Sequence, residues 1–255
     1  SMTKRNDSMW GYYGSKANIV HHYPSPMYDT VIEPFAGTAP YSLKYWYKNV
    51  ILVDKYPVIT GIWKWLQKAT PEEVLSLPRL KYGETVDDHK WSCEEAKWMM
   101  GFIITGAPSS PKKTASRWKT VIRPNTQDYK LNMIARNLEK IRHWTIIEGD
   151  YRDLTNIQAT WFIDPPYQKG GEYYHTSVNN KHINYDELAL WIKSRKGQVI
   201  ACENTSATWM DFSPLIGLHG NMKDTTEAIW HQEPSFIDYT KYKQEYEGNW
   251  NNGTN

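Results

Sequence analysis

Short, apolar, β-branched runs recur along the sequence, at 30–33, 50–53, 145–147, 160–163, 198–201 and 227–230, and several stop at a carboxylate: Glu33, Asp54, Glu148 and Asp164. Each run has the length and composition of a strand. They lack the alternation of a half-exposed strand, which predicts strands buried on both faces. Helical patterns lie between some of them. Residues 41–48 read as one helix and 186–195 as another, with Leu188, Trp191 and Ile192 on one stripe and Asn184 placed to cap it. Strands alternating with helices predict an α/β sandwich around a mostly parallel sheet. Such sheets bind ligands beyond the carboxyl ends of their strands, so the acidic strand ends are where chemistry is expected.

The chain has 255 residues, room for one large domain or a domain with an insertion. Residues 70–142 break the alternation. Helical patterns at 94–104 and 131–141 flank a loop rich in Pro, Ser and basic residues, in which Lys112, Lys113, Arg117, Lys119 and Arg123 surround Trp118. The expected organisation is therefore one domain from 1–69 and 143–241, a helical insertion at 70–142, and a polar, flexible tail at 242–255. The net charge of +2 excludes a protein held on nucleic acid by bulk charge alone. It leaves room for basic residues gathered on one face. No run approaches the ~18 apolar residues of a membrane span. No charged-then-apolar segment opens the sequence, and the expectation is a cytoplasmic protein. Cys93 and Cys202 are far apart and no CxxC pair exists, which reads as two reduced thiols and no structural metal.

The sharpest motif is Asp164-Pro165-Pro166-Tyr167, directly after the run 160–163. Two prolines stiffen the backbone where it leaves the sheet and hold the Asp164 carboxylate in place. The Pro165 carbonyl is a second acceptor beside it. Two acceptors aimed at the N–H groups of an exocyclic amine would localise its lone pair for attack on a sulfonium methyl, and Tyr167 offers a face on which an extruded base can stack. The plainer reading is a strand-ending turn. A second motif, Glu33-Pro34-Phe35-Ala36-Gly37-Thr38-Ala39-Pro40, joins a strand to a helix. Gly37 permits close approach of the backbone to a ligand and Pro40 suits a first helical position. It would wrap the methionine part of a nucleoside cofactor, or serve as a turn with no ligand. Asp54, followed by Lys55, is placed to accept from ribose hydroxyls, or to cap the next turn. Asp150, followed by Tyr151, is placed to accept from the cofactor's adenine amino group. Near the start, Trp10-Gly11-Tyr12-Tyr13-Gly14-Ser15-Lys16 combines two glycines with a lysine able to pair with a carboxylate.

These pieces, in this order, resemble the Dam-type DNA adenine-N6 methyltransferases over residues 10–230. In that family a Gly-Lys element comes first, then a Phe-Gly loop, a ribose-binding acid, a target-recognition insertion, a Gly-Asp element and the Asp-Pro-Pro-Tyr tetrad. Tyr13, Gly14 and Lys16, the loop Phe35-Ala36-Gly37, Asp54, the 70–142 segment, Asp150 and the tetrad fill those places. Ala39 stands where the family has a second glycine, and Ser15 where glycine is usual. The resemblance implies a Rossmann-like, seven-stranded methyltransferase sheet. It implies S-adenosylmethionine as the cofactor, held by Trp10, Tyr13, Gly14, Lys16, residues 33–38, Asp54, Lys55, Asp150, Tyr151 and Asp164, with no metal. It also implies double-stranded DNA as partner, an adenine flipped out for methylation at N6, and a prokaryotic or phage-infected cell. The basic stretch 112–123 is expected to touch phosphates or read guanine, unless it is simply a solvated loop. The loop 168–180, with Lys169, is expected to close over the base or touch the strand. Alternatives are an RNA adenine methyltransferase, a nucleic-acid-binding relative without catalysis, and a methyltransferase for planar amides, whose tetrad begins with Asn.

Overall fold

The apolar, β-branched runs pair side by side into one sheet; those at its centre are covered from both sides, while Thr145–Glu148, at its edge, is largely exposed rather than buried on both faces. In the computed structural model, which describes residues 7–169, 183–215 and 226–234, they form β1 (Thr30–Glu33), β2 (Asn49–Asp54), β3 (Thr145–Glu148), β4 (Ala159–Ile163), β5 (Gly197–Asn204), β6 (Ser213–Pro214) and β7 (Glu227–Gln232). The sheet order is β3-β2-β1-β4-β5-β7-β6. The first five strands are parallel, while β7 runs antiparallel to β5 and β6 antiparallel to β7. This is the Rossmann-like, seven-stranded α/β arrangement expected. Two-residue β6 was not foreseen, being too short to carry a period. Strand β4 is buried along its whole length. Its alternate residues feed opposite cores: Trp161 and Ile163 join Ile32, Val199 and Ala201 on one face, and Phe162 joins Val31, Ile200 and Cys202 on the other.

The chain steps outward from β1 to β3, then returns to place β4 on the other side of β1. Connections on the two sides of that point leave the sheet in opposite directions, which opens a crevice at the carboxyl ends of β1 and β4.

Six α-helices are described: α1 (Pro40–Lys44), α2 (Pro57–Leu66), α3 (Pro71–Leu75), α4 (Glu94–Ile103), α5 (Thr126–Asn137) and α6 (Tyr185–Lys193). Asn184 caps α6 as read from the sequence, accepting from Glu187 N at 3.0 Å. Helix α1 stops four residues earlier than expected, because the carbonyls beyond it have other partners. Trp46 O accepts from Trp144 Nε1 at 3.0 Å, and Lys48 O meets His143 Nε2 at 2.9 Å. Helix α5 begins five residues earlier than expected and tightens to a 3-10 turn at Leu138–Ile141. Its first turn holds Gln127, buried and clamped to both backbone groups of Leu80 at 2.8 and 2.9 Å, a polar residue in an apolar role.

The helices of 70–142 share one continuous core with the sheet domain: Ile59, Ile62 and Trp63 of α2 lie in the same cluster as Met99 and Phe102 of α4 and Leu131 and Ile134 of α5. The basic loop is pinned to this unit. Lys112 N donates to Gly101 O at 3.0 Å, Ser116 N to Ile104 O at 3.0 Å, and Val86 N to Lys113 O at 2.8 Å. Among the described residues, no helix is long and apolar enough to cross a membrane. The tail 242–255 and residues 170–180 of the expected closing loop lie outside the described residues.

Candidate active site

The loop after β1 is shaped by two left-handed residues, Gly37 (φ 50°) and Ala39 (φ 46°), which turn the chain into α1 at Pro40. A side chain at Gly37 would also crowd its neighbour: a Cβ there would stand 3.2 Å from the Tyr12 ring. Asp54, at the end of β2, locks the turn. Its Oδ2 accepts from Gly37 N and its Oδ1 from Tyr56 N, both at 2.9 Å. Burial pushes its pKa up to about 6, against the N–H groups of Gly37, Tyr56 and Lys55. Trp63 Nε1 donates to Gly37 O at 2.8 Å from beneath.

Glu33 does not reach the surface. It is buried under the loop, where its Oε2 accepts from Ser42 N at 3.0 Å and from the Ser42 hydroxyl. Burial raises its pKa to about 8, although the two Ser42 hydrogen bonds oppose the rise. Its role is to brace the first turn of α1.

Above this frame lies a cleft of about 230 Å³, room for a ligand of many atoms where a single water takes ~30 Å³. Of the residues singled out in the sequence, Tyr13, Gly14, Pro34 to Thr38, Asp54, Lys55, Asp150, Tyr151, Asp164 and Pro166 line it. Trp10, Lys16, Glu33, Pro165 and Tyr167 are not on its wall. Trp10 is instead a core residue, its ring 5.1 Å from that of Trp63. Sequence reasoning passed over Arg152 and Glu187, which also line the cleft. Arg152 Nε donates to Asp150 Oδ1 at 2.8 Å, while Lys55 Nζ lies 3.2 Å from Asp150 Oδ2. Burial works against ionisation of Asp150, but these two cations outweigh it and hold its pKa down to about 2. Arg152 reaches on to Glu187 at 3.5 Å.

The cleft thus offers three kinds of surface: small residues and backbone at Gly14 and Gly37, the Asp54 carboxylate, and the Phe35 and Tyr151 rings, 5.4 Å apart, with Asp150. These are the kinds of group that a nucleoside carrying an amino-acid tail would need. Ser15 has an unstrained backbone; Gly14 (φ 80°) carries the turn.

Asp164 emerges from β4 at one side of the cleft. Lys16 Nζ, buried, lies 3.2 Å from Asp164 Oδ1 and 3.5 Å from Glu227 Oε2, and it hydrogen-bonds the Tyr167 hydroxyl. Tyr167 Oη also donates to Glu227 Oε2 at 2.5 Å. Burial pushes the Asp164 pKa up to about 6; Lys16 opposes the rise, while Glu227 and Glu203 add to it. The backbone after the tetrad is tied to the end of β5: Glu203 Oε2 accepts from Gln168 N at 2.8 Å and from Trp209 Nε1 at 2.9 Å. Tyr185 Oη donates to Pro166 O at 2.7 Å. Neither Glu203 nor Glu227 was singled out in the sequence as a site residue. Glu203 carried a legible signal, an acid at a strand's carboxyl end.

The basic residues lie outside the cleft, on the insertion and after the tetrad. Lys112, Lys113, Arg117, Arg123 and Lys169 are exposed and Lys119 is half-buried. The single π-helical turn Trp118–Ile122 buries none of its side chains, and Arg123 packs over the Trp118 ring at 5.4 Å. The loop nonetheless touches the cleft wall, since Tyr13 N donates to Pro108 O at 3.2 Å.

No family model matches this sequence, and no curated protein does. Among solved structures, "Putative methyltransferase yhhF from Escherichia coli" is similar over 86% of this chain and 81% of its own, at 7% identity and a TM-score of 0.35. A conserved hypothetical protein from Streptococcus pyogenes is similar over 80% of this chain and 86% of its own, at 13% identity and a TM-score of 0.30. At these scores the fold assignment rests on the strand order and directions described above, and the reading of the site on its own residues.

Proposed function

We propose that this protein transfers a methyl group from S-adenosylmethionine to N6 of an adenine drawn out of duplex DNA. The observation that carries the reading is the placement of Asp164. A partly buried carboxylate leaves β4 at the point where the sheet reverses, pairs with the Lys16 ammonium, and borders a cleft whose groups suit a nucleoside with an amino-acid tail.

When bound, S-adenosylmethionine supplies a methyl carbon made electrophilic by its sulfonium. The cleft residues orient it: Asp54 offers its remaining lone pairs to ribose hydroxyls, Phe35 and Tyr151 wall the base, and the Gly14 and Gly37 backbones admit the tail. Asp164 and the Pro165 carbonyl accept the two N–H bonds of the target amine, turning its lone pair toward the methyl carbon. Methylation of the amine would release one proton, and Asp164, hydrogen-bonded to that amine, would be placed to take it. The prolines keep this geometry stiff and Tyr167 packs against the extruded base. The exposed basic residues from Lys112 to Arg123, with Lys169, meet phosphates.

The test is methyl transfer from labelled S-adenosylmethionine to unmethylated duplex DNA, with the product nucleosides separated. N6-methyladenine is the expected product. Label appearing only with structured RNA moves the substrate to RNA, and cofactor binding without transfer to either overturns the reading.

A further inference from the structure

The Asp-Pro-Pro-Tyr segment does not stand alone: a carboxylate from the opposite end of the chain, unused by the mechanism above, closes the cluster around Lys16. Glu227 is the first residue of β7. Because β7 runs antiparallel to β5, its beginning lies beside Asn204, at the carboxyl end of β5. There Glu227 accepts from Tyr167 Oη at 2.5 Å and lies 3.5 Å from Lys16 Nζ. Lys16, 4% exposed, therefore faces two carboxylates, with Asp164 at 3.2 Å. Glu227 is not on the cleft wall, so it acts on substrate only through its neighbours.

We propose that Glu227 is a positioning residue for methyl transfer: it fixes the Tyr167 ring through its hydroxyl and, by sharing Lys16 with Asp164, leaves the cluster with net negative charge beside the acceptor nitrogen. The inference rests on the reading given under Proposed function. Its physical basis is the direction of charge movement. A neutral amine gains positive charge as it takes the methyl group, and a second carboxylate in a partly desolvated site favours that change. One ammonium against one carboxylate would neutralise Asp164 and offer no such gain.

The ionisable groups around Asp164 are Lys16 from the segment before β1, Glu33 on β1, which burial keeps protonated to about pH 8, Glu203 on β5 and Glu227 on β7, with Tyr23, Tyr167 and Cys202 beside them. Of these, Glu227 is the carboxylate that shares Lys16 with Asp164 at ion-pair distance. Replacing it with glutamine keeps an acceptor for Tyr167 and removes the charge; alanine removes both.

The experiment compares wild type, Glu227→Gln and Glu227→Ala in single-turnover methyl transfer to duplex DNA across pH, with cofactor affinity measured by titration. Glu227→Gln is expected to slow the plateau rate by roughly tenfold to hundredfold. Its acid limb should move to lower pH, since Lys16 then pairs with Asp164 alone, and its cofactor affinity should stay within about twofold. Glu227→Ala should be slower still. If alanine fails to fold, glutamine decides alone. An active wild type with Glu227→Gln unchanged in both rate and pH profile overturns the inference and leaves the reading standing. A wild type that binds cofactor but methylates neither DNA nor RNA overturns both.

Discussion

Asp164, partly buried, and Glu33, fully buried, are carboxylates with raised pKa values, yet they answer to different measurements. Asp164 is predicted to act ionised, because only the carboxylate has two lone-pair faces free to accept from an amine while meeting Lys16. With its pKa at about 6, transfer should fall as pH drops through that value, visible as an acid limb in single-turnover rates. Asp164→Ala should remove at least ~100-fold of the rate while cofactor binding stays measurable, and wild-type-like turnover would reject the assignment. Glu33 lies off the cleft wall and reports on stability. Its folded pKa of about 8 lies above the 4.5 of an ordinary glutamate, so the folded state holds the proton more tightly. Stability from this group is fully present below pH 4.5 and is lost as pH rises toward 8. Glu33→Gln keeps an acceptor for Ser42 and cannot ionise, so chemical denaturation should show a flatter decline in stability between pH 5 and 8. An unchanged slope would place the titration elsewhere.

At the scale of elements, strands buried on both faces were legible because a run of Ile, Val and Phe has no other stable home, and four acidic strand ends pointed to the crevice. What escaped depends on tertiary partners. Helix α2 is built from Val58, Ile59, Thr60 and Gly61, poor helix formers that its burial overrides. The start of α5 hid behind Gln127. Glu227 was invisible as a site residue, because a strand's composition does not reveal its direction, and only an antiparallel β7 brings its first residue to the ligand end of the sheet. The basic segment read as a loop, yet backbone hydrogen bonds hold it against α4. Gly101 makes that contact possible: a Cβ there would lie 2.7 Å from Lys112 O and 2.8 Å from Pro111 Cβ. A backbone oxygen cannot swing aside, so Gly101→Ala should lift residues 111–112 off α4 at a cost of about 1–3 kcal/mol. The expected results are a thermal midpoint several degrees lower and weaker DNA binding. A variant with wild-type melting would show that the segment accommodates the methyl freely.

For the molecule as a whole, the proposed function would require a chain of net charge +2 to hold a polyanion. Bulk attraction is too small, so affinity must come from cations fixed in one place. Lys112 and Lys113 meet that condition. Their backbones are pinned to Gly101 and Val86, and their side chains are exposed, Lys113 by 75%. Lys113 has one acidic neighbour, Asp87 at 3.6 Å, which Lys97 already engages at 2.7 Å, so removing Lys113 leaves no orphaned buried charge. Each phosphate neutralised releases condensed counterions and contributes about 0.9 to the slope of log K against log salt. Lys112→Ala with Lys113→Ala should therefore reduce that slope by about 1.8 and weaken binding evenly across DNA sequences, because phosphate contacts carry no base identity. Methyl transfer at saturating DNA should be nearly unchanged, since neither side chain lines the cleft. The same variant separates two roles for the loop. A reduced slope with uniform weakening marks Lys112 and Lys113 as phosphate anchors; a loss confined to some sequences would mean they read bases; an unchanged slope would move the DNA footprint to another face, leaving the cleft chemistry as it stands.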